Sequence, residues 1–401
     1  MLIGHPVFWI VGVAVVAPLL AEIPTPFKVP VVVLEVLLGI VIGPHALHLV
    51  DFDGFVATMF DFGMAASLFM GGLDLDFADI RGRPILLAVG GWTLSVLLSV
   101  TIVSLLHAIP HVHTPFVVAM ALCTTGLGVV APGFRDSGLL GTAFGRFVLA
   151  AGTLGEVGPI VAMSLLLSEQ YSFWQEGAFL GIFLFIIAAA LAIGIGVRPP
   201  KVLGILRRHM NKSTQLPVRI SVFVLAGLLF LAQKFGFESF TGAFAAGTIL
   251  GASTRSERGS VLRDKMETLS FGWFYPFFFV GAGIQFDLGA LAHDLPTMLL
   301  VPAIAVLFLI IRGLPAVLYR GSVDAAHLLP LAFSSAVPSL TIIVVIAQTG
   351  VRAKSMTPDV AAAMIGAAML SILLFPTIAG SLWSRASLAA GRTDSPSRPE
   401  S

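Results

Sequence analysis

The sequence predicts an all-α polytopic membrane protein of about thirteen transmembrane helices, built as two inverted six-helix repeats joined by a linker helix. Three observations predict it: a shortage of charge, thirteen apolar stretches of membrane length, and motif pairs that recur seven helices apart. Of 401 residues only 11% are charged, 23 Lys or Arg against 22 Asp or Glu, where soluble domains carry about 25%. Hydrophobic residues make up 57% and the mean hydropathy is +0.97. A water-soluble globule cannot hide that much apolar surface. The composition excludes a nucleic-acid binder, a secreted disulfide scaffold and a disordered chain. The one cysteine, Cys123, allows neither an intrachain disulfide nor a Cys-based metal site. No Lys or Arg precedes Lys28. The basic region of a cleavable signal is therefore missing, and the first apolar run reads as a membrane helix.

A bilayer core takes about 20 apolar residues per helix. With Pro, Gly and charge clusters as breaks, the stretches are 7–21, 30–49, 54–73, 84–109, 114–131, 141–168, 174–197, 216–234, 239–253, 265–285, 295–319, 325–349 and 357–384. Those at 7–21, 114–131 and 239–253 are short. Residues 1–385 form the membrane domain: repeat one is 1–168, the linker helix 174–197, repeat two 216–385. The tail 386–401 is short, and its polar end (GRTDSPSRPES from Gly391) is expected to be disordered.

Basic residues test this topology. With thirteen crossings, the N-terminal side of the membrane holds only Lys234, Arg352 and Lys354. Apart from Arg146 and Arg312, which lie within spans, every other Lys and Arg falls on the opposite side. The positive-inside rule then puts the N-terminus outside and the C-terminus in the cytoplasm.

The repeat shows in two motif pairs. FMGGLDLDFADI (Phe69 to Ile80) closes the third span and FVGAGIQFDLGAL (Phe279 to Leu291) the tenth; each has small residues, then an apolar stretch, then Asp. LLGIVIGP (Leu37 to Pro44) in the second span matches AAGTILGA (Ala245 to Ala252) in the ninth. An odd offset turns one copy upside down, the mark of an inverted repeat. The same offset pairs span five with span twelve, and both look broken. Span five reads ALCTTGLGVVAPGF, with Thr124, Thr125, Gly126, Gly128, Pro132 and Gly133. Span twelve reads LAFSSAVPSLTII, with Ser334, Ser335, Pro338 and Ser339. Backbone groups freed in mid-membrane are tolerated only where they line a cavity or meet a partner, so matched breaks point to a binding site. The plainer alternative for either segment is a proline kink.

Charges held at membrane depth are costly and usually functional. Four stand out: Glu35, Asp61, Glu156 and Arg312. Glu156 sits midway along span six in AAGTLGEVGPIV, among small residues that let neighbouring helices approach. One carboxylate that can hold a proton or a small cation, but not both, gives exchange by competition. Arg312, in LFLIIRGLPAV of span eleven, stays protonated. It reads either as a fixed positive charge beside the site or as a clamp on the freed carbonyls of spans five and twelve. Glu35 and Asp61 lie nearer a membrane face and read as structural or access-path groups. His107, His111 and His113 share an outer loop with no nearby carboxylate to complete a metal site. No H-E-x-x-H, G-x-S-x-G or Walker A lysine occurs, so an enzyme is not expected.

Four segments together resemble a known family. VVVLEVLLGIVIGPHAL (Val31 to Leu47) is similar to its L-P-x-x-x-G-E-x-x-A-G-I-x-x-G-P opening. FDFGMAASLFMGGLDLD (Phe60 to Asp76) is similar to its E-L-G-x-x-x-L-L-F-x-x-G-L-E-L-D, with Asp61 for the Glu. ALCTTGLGVVAPGFRDSGLLGT (Ala121 to Thr142) resembles its broken helix, and FFFVGAGIQFDL (Phe277 to Leu288) its F-F-x-x-x-G-x-x-x-D-L. The family is the monovalent cation:proton antiporter-2 family, the Kef-type branch of the sodium/proton exchangers, and the resemblance covers nearly all of residues 1–385.

The resemblance implies crossed discontinuous helices, a dimer domain and a mobile core domain, elevator-type alternating access, and a homodimer embedded in membrane lipid. It implies exchange of Na+ or K+ for H+ without a cofactor. Glu156 matches the ion-binding acid, Thr124 and Thr125 the hydroxyl-bearing positions of the crossover, and Arg312 a basic position of the eleventh helix. Ser334 and Ser335 are weaker candidates on the second broken helix. Members carry Asp-Asp or Asn-Asp where this chain has Gly155-Glu156, and a single carboxylate favours electroneutral exchange. Many Kef-type members add a nucleotide-sensing C-terminal domain, which is not expected in this chain. The expectation is a multi-pass transporter of the cytoplasmic membrane, with Glu156 and Thr125 binding a monovalent cation only and no nucleic-acid partner. The alternatives are an organic-anion/sodium symporter with a related crossed-helix core, or a cation channel or sensor.

Overall fold

The computed structural model describes residues 4–23, 29–75, 82–106, 115–136, 139, 142–166, 181, 213–253, 257–292 and 295–389. Among these residues the chain is helical, with no strand beyond one isolated bridge between Arg320 and Val323. Apart from residue 181, the linker stretch 174–197 lies outside the described residues, as do His107, His111, His113 and the tail from Gly391. Among the described residues six helices are long and apolar enough to cross a membrane: Gly54–Asp74, Arg83–Leu105, Ala143–Ser164, Leu216–Lys234, Leu295–Tyr319 and Pro358–Ala386. A bent pair, Ala325–Ser335 and Leu340–Arg352, makes a seventh, and four shorter apolar helices accompany them. This is the architecture of a multi-pass membrane protein.

The chain divides into two compact units. The first holds Met1–Val16, Glu35–Asp76 and Ile160–Gln285. Its helices are most of α1 (Gly4–Ala21) and α2 (Val31–Ile42), all of α3 (Gly54–Asp74), the end of α7 (Ala143–Leu166), and α8 (Leu216–Lys234), α9 (Ser239–Ser253), α10 (Glu257–Leu269) and α11 (Tyr275–Ile284). Small residues set its packing. A Cβ on Gly247 or Gly72 would overlap backbone across the α3–α9 contact, at Phe69 O and Phe244 O. One on Gly39 or Gly283 would overlap Val280 O or Val36 O across the α2–α11 contact. The glycines thus allow backbone-to-backbone approach, as small residues do between membrane helices. Around the second contact Ile10, Val13, Ile42, Val56, Phe277, Val280 and Ile284 form a buried core. Midway along α10, Arg263 pairs with Asp74 and Glu267.

The second unit holds Ala17–Leu34, Phe77–Pro159 and Phe286–Ser401. It contains α4 (Arg83–Leu106), α5 (Pro115–Leu122), α6 (Leu127–Asp136) and most of α7. After these come α12 (Leu288–Ala292), α13 (Leu295–Phe308), α14 (Leu328–Ser335), α15 (Leu340–Arg352) and α16 (Pro358–Ala389). Both expected breaks are present, between α5 and α6 and between α14 and α15.

Some boundaries differ from the sequence expectation, for reasons local to proline and glycine. The stretch 30–49 is helical only to Ile42, because Gly43-Pro44 opens a turn that His48 completes at φ 54°. The stretches 265–285 and 295–319 are not uniform helices. Each contains a π-helical turn, Ser270–Phe274 and Leu309–Gly313, shortly before Pro276 or Pro315. Proline donates no N–H and its ring crowds the carbonyl four residues back, and a widened turn relieves that crowding. After the second π turn the chain tightens to a 3-10 helix, Leu314–Tyr319.

Candidate functional site

The site is built where the two broken helices of the second unit touch. Gly126 N–H donates to Val337 O at 2.8 Å. A Cβ on Gly126 would stand 2.6 Å from Pro338 O and 3.1 Å from Ser339 Cα, so only glycine lets the breaks come this close. Each break leaves helix-end donors and acceptors without intrahelical partners. The inner end of α6 begins at Leu127, and its N–H donates to Glu156 Oε1 at 3.0 Å. Glu156 therefore caps α6, where the helix dipole favours a negative charge. It is 7% exposed, at the middle of α7.

A proline explains how α7 meets the first break. In a regular helix Gly155 O would accept from residue 159, but Pro159 has no N–H to give. The freed carbonyl instead accepts from Thr125 N at 2.9 Å. The residue preceding Glu156 is thus tied to the α5–α6 break by the backbone itself.

Arg312, 3% exposed, sits in the π turn after α13. Its Nε donates to Thr125 Oγ1 at 2.9 Å, its Nη1 to Ser95 Oγ at 3.2 Å and its Nη2 to Ala151 O at 2.9 Å. All three acceptors are neutral. Thr125 Oγ1 passes the chain of bonds on, donating to Ser335 O at 2.6 Å. Among the described residues the one carbonyl acceptor of Arg312 is Ala151 O of α7, and Arg312 reaches the second break through Thr125. Gly155 lies against it: a Cβ there would be 2.5 Å from Thr125 Oγ1 and 2.8 Å from Arg312 Nη2. A hydroxyl occupies the space that a side chain at 155 would need.

The remaining sequence candidates separate cleanly. Thr124 is fully buried and its hydroxyl donates to Ala121 O at 2.9 Å, which leaves its lone pairs for other groups. Ser334 is 1% exposed, and its hydroxyl has no hydrogen-bond partner among the described residues. Ser335 contributes its carbonyl. Glu35, buried on α2, and Asp61, exposed on α3, belong to the first unit and not to this cluster.

Sequence reading missed the contribution of α4. Trp92, Ser95 and Ser99 lie at helical spacing on one face. The ring of Trp92 lies where a Cβ on Gly158 would go, Ser95 holds Arg312, and Ser99 Oγ donates to Ala119 O at 2.9 Å. The signal was present: WTLSVLLS places its hydroxyls one turn apart in an apolar span.

Residues 11–385 match the sequence profile of the family described as sodium/hydrogen exchanger, transmembrane. The Bacillus subtilis protein YjbQ, provisionally named a Na(+)/H(+) antiporter, is 21% identical over 89% of this chain and 60% of its own length. Cation/H(+) antiporter 19 of Arabidopsis thaliana is 27% identical over 69% of this chain and 37% of its own. The Na(+)/H(+)-K(+) antiporter GerN of Bacillus cereus is 23% identical over 69% of this chain and 71% of its own. The chain thus spans less than two thirds of the length of the first two relatives. With the profile covering nearly the whole membrane region, the chain belongs to the sodium/hydrogen exchanger family.

Proposed function

We propose that this chain is a secondary active transporter that exchanges a monovalent cation, Na+ or K+, for protons. One observation carries the reading: the buried carboxylate of Glu156 stands where two broken helices meet, engaged by the N-terminus of α6. Such a carboxylate takes a proton or a cation but not both, and alternating occupancy on the two sides of a membrane is exchange. Thr124, Ser334 and backbone carbonyls of the breaks are the oxygen ligands proposed to join it, and Arg312 supplies a permanent positive charge. With Gly155 in place of a second acid, one cation for one proton is the balanced stoichiometry.

The packing supports the inverted repeat. Exchanging the second span with the ninth and the third with the tenth turns the α2–α11 contact into the α9–α3 contact, and both are glycine-lined. Each compact unit takes matching spans from the two halves, which favours an elevator with the second unit as carrier. We further place the chain in the cytoplasmic membrane as a homodimer of thirteen-span subunits, N-terminus outside and C-terminus inside.

Glu156→Gln tests the reading. Gln keeps the acceptor for Leu127 N–H, so the variant should fold and accumulate. In everted vesicles it should show no cation-driven proton movement. Full exchange by this variant sinks the assignment.

A further inference from the structure

We propose that Thr125 is a positioning residue that locks the two breaks, Arg312 and the Glu156 segment into one arrangement, and is not a ligand of the cation. The inference rests on the exchange reading above and deepens it. Three bonds converge on this one residue from three elements. Its N–H goes to Gly155 O, which Pro159 frees; its hydroxyl donates to Ser335 O and accepts from Arg312 Nε. The directions are fixed, because a carbonyl can only accept and a guanidinium can only donate. A hydroxyl has one proton and two lone pairs, so the proton and one lone pair are already committed. Pulling the oxygen toward a cation would weaken the hydrogen-bonded link between Arg312 and the second break. Thr124, whose hydroxyl makes one bond within its own turn, carries no such load. Thr125 is also 2% exposed and β-branched, which stiffens its χ1.

The test compares Thr125→Val, Thr125→Ser and Gly155→Ala in cation-driven proton flux from reconstituted vesicles, with Na+, K+ and Li+ titrated in turn. Valine keeps the shape and removes the hydroxyl. The maximal rate should fall about tenfold or more, the scale of one charge-assisted hydrogen bond. The KM for each cation should stay within about twofold, with the same ion ranking. Serine keeps the hydroxyl and should restore most of the rate. Gly155→Ala puts a Cβ 2.5 Å from Thr125 Oγ1, so it displaces the hydroxyl from outside and should reproduce the valine signature. This variant carries the test if the valine protein accumulates poorly. A raised KM or an altered ion ranking in Thr125→Val, with the rate retained, overturns the inference in favour of direct ligation. Wild-type kinetics in both Thr125→Val and Gly155→Ala also overturn it. Glu156→Gln run alongside separates the two levels: exchange persisting there refutes the site reading itself, whatever the Thr125 variants do.

Discussion

Replacing Arg312 by methionine should abolish fast exchange while leaving the fold nearly as stable as before. The side chain makes three hydrogen bonds from a buried cation, together attractive by several kcal/mol before desolvation is counted. Against this stands the cost of burying the guanidinium, which is several kcal/mol per ion after relaxation. The two nearly offset. Truncation also orphans none of the acceptors: Ser95 Oγ still donates to Gly91 O at 3.0 Å, and Thr125 Oγ1 still donates to Ser335 O. Ala151 O remains within its own helix. Methionine is unbranched and fills the vacated volume. The net change should stay within about 2 kcal/mol. The assay is thermal melting of the purified protein alongside vesicle exchange. The expected pattern is a melting temperature close to wild type with exchange reduced about a hundredfold. Arg312→Lys should fall between, since one ammonium cannot span three acceptors that a planar fork reaches together. Full exchange by Arg312→Met refutes the role given to this charge. Collapse of the fold refutes the energetic balance and leaves Arg312 a purely structural clamp.

Three further outcomes follow from packing. Gly247→Ala should destabilise by about 1–3 kcal/mol, because its Cβ meets the Phe69 carbonyl, whereas Gly227→Ala, with nothing within 4 Å, should melt like wild type. Gly158→Leu should destabilise on a similar scale, about 1–3 kcal/mol, by driving into the Trp92 ring, and Trp92→Ala should recover part of that loss in a double-mutant cycle. Cys123, fully buried, should resist a maleimide in the native protein and react once the protein is unfolded in SDS; rapid native labelling would contradict its placement.

Much of the architecture was legible because membrane helices announce themselves by length and apolarity, and their breaks by Pro, Gly and hydroxyl residues. The gap after Leu122 and the gap after Ser335 fall inside the two segments expected to be broken. Glu156 was legible because an acid at mid-span has few bland explanations. What the sequence did not reveal was relational. Nothing in the residue string says that Pro159 frees Gly155 O for Thr125, or that Gly155 is vacant because a threonine hydroxyl fills its space. Such facts depend on the separation of helices far apart in the chain. A stripe such as Ser95 and Ser99 does not stand out, because small polar residues are ordinary in membrane helices. The π turns before Pro276 and Pro315 escaped because proline alone does not tell a kink from a widened turn.

Exchange at Glu156 requires that one carboxylate serve proton and cation in competition. The most direct measurement is the KM for the driving cation as a function of pH in vesicles, with the maximal rate read from the same titrations. Competition at Glu156 predicts that KM rises about tenfold per unit fall in pH on the acid side of its titration while the maximal rate holds, as for any cation that must displace a proton from its ligand. A KM that stays flat while the maximal rate falls would place proton and cation at separate groups and contradict the account.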